Sequence, residues 1–307
     1  MELCQRDVRT EDGATLNVWE RAPDDADEAV LFVHGIITNA RGLFVTPVEG
    51  DTSYSWVHGA SERGRAAFAM DQRGYGDSDP LPEMDEPPEA NGPPNRADRA
   101  AEDIGTVVEW LREEFGTVHL VGVSWGSHTC GRYLASGDRP VASLVHCAPV
   151  YKPAYDFDIA LDALGIDDYD VGWFEQDYET VRARSSHPDH VFEAIWRAQV
   201  ESRQGIDDER FKVQAGGIAD WAASTAGDPV WDPADIDVPT MVFYGTEDDI
   251  ADRQGSLACY DRLTHPASEY AELAGVDHYM MHGERREDVF ELTSDFQDRT
   301  GEIRTSD

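Results

Sequence analysis

Lysine is almost missing from this 307-residue chain, with only Lys152 and Lys212 present. Lysine and arginine together number 25 against 62 aspartates and glutamates, which leaves a formal net charge of −37 at pH 7. Partners that present phosphate need clustered bases to neutralise them. The acidic balance speaks against such a cluster, so neither nucleic acid nor an anionic membrane is expected as a partner. Cysteine is also scarce. Cys4, Cys130, Cys147 and Cys259 fall at spacings that fit no metal motif. Cys130 and Cys147 sit in apolar helix and strand patterns, where a free thiol behaves as a small hydrophobe. No apolar run approaches the ~20 residues that a membrane span needs. The opening stretch MELCQRDVRTEDG lacks the basic-then-apolar order of a signal peptide. These absences are read as a reduced, cytoplasmic setting.

The acids that are present run along the whole chain rather than gathering in a tail, which speaks against a disordered acidic arm. A charge of this size repels itself and destabilises a compact state in dilute buffer. Molar salt shortens the Debye length to ~3 Å and removes most of that cost. The composition therefore reads as surface adaptation to a salt-rich cytoplasm. It resembles proteins of extreme halophiles, which carry few lysines and many carboxylates.

The length suits one large α/β domain, or such a domain with an insertion. Residues 3–21 read as a hairpin. Apolar, β-branched runs in 29–35, 66–79 (ending in a polar glycine loop), 117–123, 141–150, 238–249 and 268–275 read as buried strands. Residues 98–115 read as the clearest helix, with Ile104, Val107, Val108, Leu111 and Phe115 on one face. A shorter helix is expected near Trp56, and one closes the chain. Residues 80–94, rich in proline and acids, read as an exposed loop. Strands alternating with helices imply a doubly wound, mostly parallel sheet covered on both faces. Residues 151–235 break the alternation, with helical patterns and no convincing buried strand. They read as a helical cap inserted over the strand ends. Residues 1–150 and 236–307 then form the core domain.

The stretch VGVSWGSHTC (residues 121–130) carries the chemistry. A buried strand meets a helix at Ser124, with glycines two residues to either side. Such a turn, at the carboxyl end of a parallel strand, would lift the hydroxyl clear of the sheet. The plainer alternative is a serine that merely caps the helix. A serine hydroxyl is a weak nucleophile until a base accepts its proton and an acid orients the base. Later strand ends supply both. Asp248 lies just past the apolar run of the fifth strand stretch, 238–249, with Asp249 as its rival. His278 follows the strand at 268–275, with His282 as its rival. Backbone N–H groups of Ile36, after His34-Gly35, and of Trp125 would bind a developing oxyanion.

The ordered set LFVHG, DQRGYGDSD, GVSWGS, FYGTEDD and GVDHYMMH resembles the α/β-hydrolase superfamily over nearly the whole chain. That resemblance implies an eight-stranded sheet, a cap after its sixth strand, Ser124 as nucleophile, Asp248 as acid and His278 as base. It implies a structural role for Asp71 and Arg73. Two departures stand out. Ser127 occupies a position where many members have glycine. The loop IITNARGLF lacks the glycine-rich motifs of proline iminopeptidases and of the hormone-sensitive-lipase group. A serine nucleophile speaks against epoxide hydrolases and haloalkane dehalogenases, which need a carboxylate there.

The expected reaction is hydrolysis of a small or medium carboxylic ester through an acyl-enzyme, with no cofactor and no metal. A proline-iminopeptidase-like aminopeptidase acting on an amide, and a non-catalytic protein that keeps the fold, are the alternatives. The aromatics Phe157, Trp173, Phe174 and Trp196 of the cap, with Tyr155 and Trp221, are candidates to line an acyl pocket. The charge generates a prediction of its own. The melting temperature should fall as salt is diluted from molar to low millimolar. An unchanged value across that dilution would overturn the halophilic reading.

Overall fold

Apolar–polar alternation at the start of the chain folds as two antiparallel strands, β1 (Cys4–Arg9) and β2 (Thr15–Arg21), with Cys4 opposite Glu20. The computed structural model describes residues 2–304, with side chains to residue 301. The apolar runs form β3 (Glu28–Val33), β4 (Ala66–Met70), β5 (Thr117–Val123) and β6 (Ser143–Cys147). With β10 (Thr240–Gly245) and β11 (Glu269–Leu273) they complete an eight-stranded sheet in the order β1-β2-β4-β3-β5-β6-β10-β11. Only β2 runs against its neighbours β1 and β4; β3 to β6, β10 and β11 are mutually parallel.

A strand covered on both faces must be apolar at consecutive positions, and the core divides accordingly. Ala29, Leu31 and Val33 of β3 join one cluster, while Val30 and Phe32 join the other. β5 splits in the same way. Its Val118 and Leu120 face α2 (Ala97–Arg112) and α3 (Trp125–Ala135). Its Val121 and Val123 share a cluster with Trp56 and Val57 of α1 (Trp56–Glu62) and Phe290 and Phe296 of α9 (Arg286–Arg304). Helix α8 (Arg253–Tyr260) adds Cys259 to the α2–α3 side.

Asp71 and Arg73 tie this framework together. The buried Asp71 carboxylate accepts from Asn17 Nδ2 and Ala40 N at 2.8 Å and from Asp77 N at 3.1 Å. Burial nevertheless pushes its pKa up to about 6, against the pull of those bonds. Arg73 bridges Asp103 on α2 and Asp12 in the hairpin turn.

The segment between β6 and β10 holds α4 (Phe157–Leu164), α5 (Tyr178–Arg184), α6 (Asp189–Val200) and α7 (Gly216–Thr225). The expectation of helices alone over 151–235 needs correction. A three-stranded antiparallel sheet is also present, formed by β7 (Trp173–Asp177), β8 (Gly205–Asp207) and β9 (Arg210–Gln214) in the order β7-β9-β8. These strands are short and carry charged residues on one face, so no buried run marks them. Their inward residues Phe174, Phe211 and Val213 pack with Trp196 and Trp221. The loop at 80–94 is likewise less exposed than expected, because Leu81 and Met84 are buried against Trp173. Among the described residues no helix is long and apolar enough to cross a membrane.

Burial depresses several histidines. His34 and His187 fall to about 4 and His146 to about 3, all three through desolvation. His119, His128 and His282 shift the same way. The unfolded chain takes up these protons below its ordinary histidine value of 6.5, whereas the folded chain does not. The stability that these groups contribute is complete above pH 6.5 and is lost as pH falls toward 4. Asp71, Asp103 and His278, with raised values, act with the opposite sign but are outnumbered. At molar salt the melting temperature should drop by several degrees between pH 7 and pH 5. A flat profile would contradict the burial of these rings.

Candidate active site

Parallel register brings the functional loops to one edge of the sheet. Val33 pairs with Gly122 and Val123 with Cys147, so the ends of β3, β5 and β6 lie level. Immediately past β5, Ser124 adopts φ 55° and ψ −118°. A non-glycine residue in such a conformation costs roughly 1–3 kcal/mol and persists only where its surroundings enforce it. Here the flanking glycines permit the turn. A Cβ on Gly126 would lie 2.1 Å from the Val33 carbonyl oxygen, and one on Gly122 would lie 2.4 Å from that of Gly126. Ser124 N–H donates to Cys147 O at 3.0 Å. Ser127, in the position where glycine is common, donates its hydroxyl to Gly122 O at 2.9 Å and braces the turn. Ser124 occupies the N-cap position of α3, but its hydroxyl makes no capping bond. The plain capping role is therefore not the one it plays.

Two further loops converge there. His278 Nδ1 lies 3.0 and 2.9 Å from the two oxygens of Asp248. Asp248 is buried, and its Oδ1 also accepts from the N–H groups of Ile250 and Ala251 at 2.8 Å each. Those bonds fix the carboxylate, and the carboxylate fixes the ring. Burial alone would lower the His278 pKa, but the Asp248 charge and hydrogen bond outweigh it, with help from Asp249 and Asp277, so the net shift is upward. The exposed Asp249 acts on the ring through its charge alone. His282, the other candidate base, is engaged elsewhere. Its Nε2 meets Thr46 Oγ1 at 2.9 Å and Leu43 O at 3.0 Å, and its Nδ1 meets His187 Nε2 at 3.0 Å. His34 is buried and accepts from Gln72 N–H through Nε2 at 3.0 Å, which makes it an anchor for the β3 loop.

Ser124 and His278 line one small cavity of about 50 Å³, together with Gly35, Ile36, Ile37, Thr38, Leu43, Val123, Leu164, Trp221, Ile250 and Tyr279. A Cβ on Gly35 would lie 3.1 Å from Ser124 Cβ, so the β3 loop passes directly beside the serine. Trp125 opens α3, where its N–H has no acceptor within the helix. Apart from His278, the lining has no ionisable group but the Tyr279 phenol. A far larger hollow of about 1010 Å³ includes Arg73, Asp98, Glu102 and Arg132 but none of Ser124, Asp248 and His278. Among the described residues no group of three or more His, Cys, Asp or Glu is placed to hold a metal ion.

The proposed aromatic lining needs correction. Phe157, Trp173, Phe174 and Trp196 are absent from the cavity wall. The Trp173 indole donates to Glu86 O at 2.8 Å and lies under the Lys212 ammonium at 4.2 Å. Trp196 donates to Asp208 O at 2.9 Å and packs edge-on against Phe211. Phe174 packs in the core of the inserted segment, and Phe157 packs edge-on against Trp221 and Tyr169. The two indoles are satisfied by backbone carbonyls, and none of the four rings lines the cavity that holds Ser124. Trp221 does reach the wall, as does Leu164, an aliphatic residue with no motif to mark it. Tyr279 could have been found from its place beside His278.

Residues 57–286 match the sequence profile of the family described as serine aminopeptidase, S33. No curated protein matches the chain. Among solved structures, E-2-(acetamidomethylene)succinate hydrolase is 23% identical, with a TM-score of 0.64 over 97% of this chain and 100% of that one. An esterase from Exiguobacterium antarcticum is 17% identical, with a TM-score of 0.68 over 96% of this chain and 100% of the other. The α/β hydrolase GrgF from Penicillium sp. sh18 is 19% identical, with a TM-score of 0.65 over 98% and 99% of the two chains. At these identities the likeness is one of fold.

The His278–Asp248 pair generates a measurable consequence. In NMR titrations at molar salt, His278 should titrate above its ordinary 6.5. In Asp248→Asn the burial that remains should bring it below that value. An unchanged midpoint in the variant would show that the carboxylate does not act on the ring.

Proposed function

The chain belongs to the serine aminopeptidase family S33, a family of α/β hydrolases, and from that premise we propose that it hydrolyses small carboxylic esters through an acyl-enzyme on Ser124. Ser124 Oγ attacks the ester carbonyl while His278 Nε2 takes its proton. Asp248 holds the opposite ring nitrogen and stabilises the imidazolium. The N–H groups of Ile36 and Trp125 receive the oxyanion. His278 then protonates the leaving alcohol, and water, activated by the same ring, releases the acid. No cofactor or metal takes part in these steps. Residues 151–235 act as the cap, with Leu164 and Trp221 closing the acyl end.

The observation that carries this reading is the shared cavity of Ser124 and His278, with the far side of that ring held at 2.9 Å by a buried carboxylate. The cavity's small size and apolar wall suit a short, neutral acyl group. The family description favours a second reading, an aminopeptidase. Such an enzyme must hold a substrate ammonium, yet no aspartate or glutamate lines the cavity. Short-chain p-nitrophenyl esters should therefore turn over much faster than proline p-nitroanilide at molar salt. Mass spectrometry should find the acyl group on Ser124. Ser124→Ala should lose activity by about 10³-fold or more. Faster turnover of the anilide would favour the aminopeptidase. A folded protein that neither turns over esters nor reacts with a fluorophosphonate would be a non-catalytic member of the fold.

A further inference from the structure

Asp220 stands on α7, in the inserted segment, with its side chain fully buried. Its carboxylate accepts from the Trp125 indole Nε1 at 2.9 Å and from Ala97 N–H at 2.8 Å, and it pairs with the Arg96 guanidinium. Ala97 is the first residue of α2, a helix of the sheet domain. Through this one side chain, the inserted segment is bound both to the core and to the residue that follows Ser124. One turn earlier, α7 presses on the same place. A Cβ on Gly217 would lie 2.9 Å from Ile36 Cγ1 and 3.0 Å from Trp125 Cδ2. Helix α7 thus abuts the side chains of both residues whose backbone N–H groups are assigned to the oxyanion.

A donor stabilises an oxyanion only when it is aimed at about 2.7–3.1 Å from the oxygen. Misplacement by about 1 Å can cost on the order of 10²-fold in rate. The turn sets the peptide plane ahead of Trp125 through Ser124 O, which accepts from Ser127 N–H at 2.9 Å, and the Trp125 side chain is a second point at which that residue is held. Its indole is what the surroundings can grip. A buried carboxylate with its own lone pairs satisfied is a rigid grip. We propose that Asp220 is a positioning residue: anchored by Arg96 and Ala97, it holds Trp125 by the indole and so aims the Trp125 N–H at the reacting oxygen. This rests on the reading of Ser124 as nucleophile and of Trp125 as an oxyanion donor. It makes α7 part of the fixed catalytic frame rather than a moving lid.

The test uses Trp125→Phe, which keeps the backbone amide and removes the indole N–H, and Asp220→Leu, which keeps the volume and removes both acceptor oxygens. Both are assayed at molar salt, after fluorophosphonate labelling of the wild type at Ser124 has established the hydrolase. Each variant should lower kcat on the order of ten-fold with KM within about two-fold, a loss made mainly in the transition state. A trifluoromethyl ketone that forms a tetrahedral adduct should lose affinity in proportion to kcat. The double variant should be no worse than the weaker single variant, because both remove one interaction. Variants that melt earlier but keep kcat and inhibitor affinity would overturn the proposal, leaving Asp220 as a tie between α7 and α2. Additive effects would overturn it as well. If Asp220→Leu does not fold, Trp125→Phe carries the test, since Asp220 then keeps its other two partners. Absence of labelling in the wild type would instead defeat the hydrolase reading itself.

Discussion

One strained residue organises this molecule. Ser124 is held at φ 55° between a buried strand and a helix, and its surroundings approach too closely to admit a side chain at Gly122 or Gly126. The constraint reaches well beyond the pentapeptide. The carbonyl oxygen of Val33, on the adjacent strand β3, occupies the space a Gly126 side chain would need. The Cys147 carbonyl, on the other adjacent strand, takes the Ser124 N–H. The turn is therefore compatible only with β3, β5 and β6 in their observed parallel register, and the register in turn sets where the loops after β3, β10 and β11 can meet.

The inserted segment then fixes what the sheet leaves loose. Gln199 on α6 accepts from Asn39 N–H at 3.0 Å and donates to Ile37 O at 2.8 Å, so it secures the loop that carries Ile36. Asp220 on α7 secures Trp125. His187 meets His282 at 3.0 Å and joins the loop between α5 and α6 to the loop beyond His278. Each contact is a buried or half-buried polar pair that holds only while both partners are in place.

Much of this was legible in the chain. The strands with both faces covered announce themselves as apolar runs, and α2 as a 3.6-residue stripe, because burial imposes those periods. The order of Ser124, Asp248 and His278 follows from strand ends; the structure pairs His278 with Asp248 and lines one cavity with His278 and Ser124. The inserted segment was less legible for a physical reason. Strand β9 (RFKVQ) buries Phe211 and Val213 with the half-buried Lys212 between them, a pattern too short to separate from a helix edge. Its tryptophans suggested a pocket, yet most serve as packing with satisfied indoles. Asp220 carried no signal at all among 62 acids. What marks it is burial and three donors, which belong to the folded chain.

The account stands or falls on the convergence of a hydroxyl, an imidazole and two main-chain donors. A crystal structure of the phosphonylated protein, solved at high salt, measures that convergence directly. The account predicts phosphorus bonded to Ser124 Oγ, with one phosphonyl oxygen about 2.7–3.1 Å from the nitrogens of both Ile36 and Trp125. An adduct on another side chain, or an oxygen turned away from those two amides toward solvent, would contradict it.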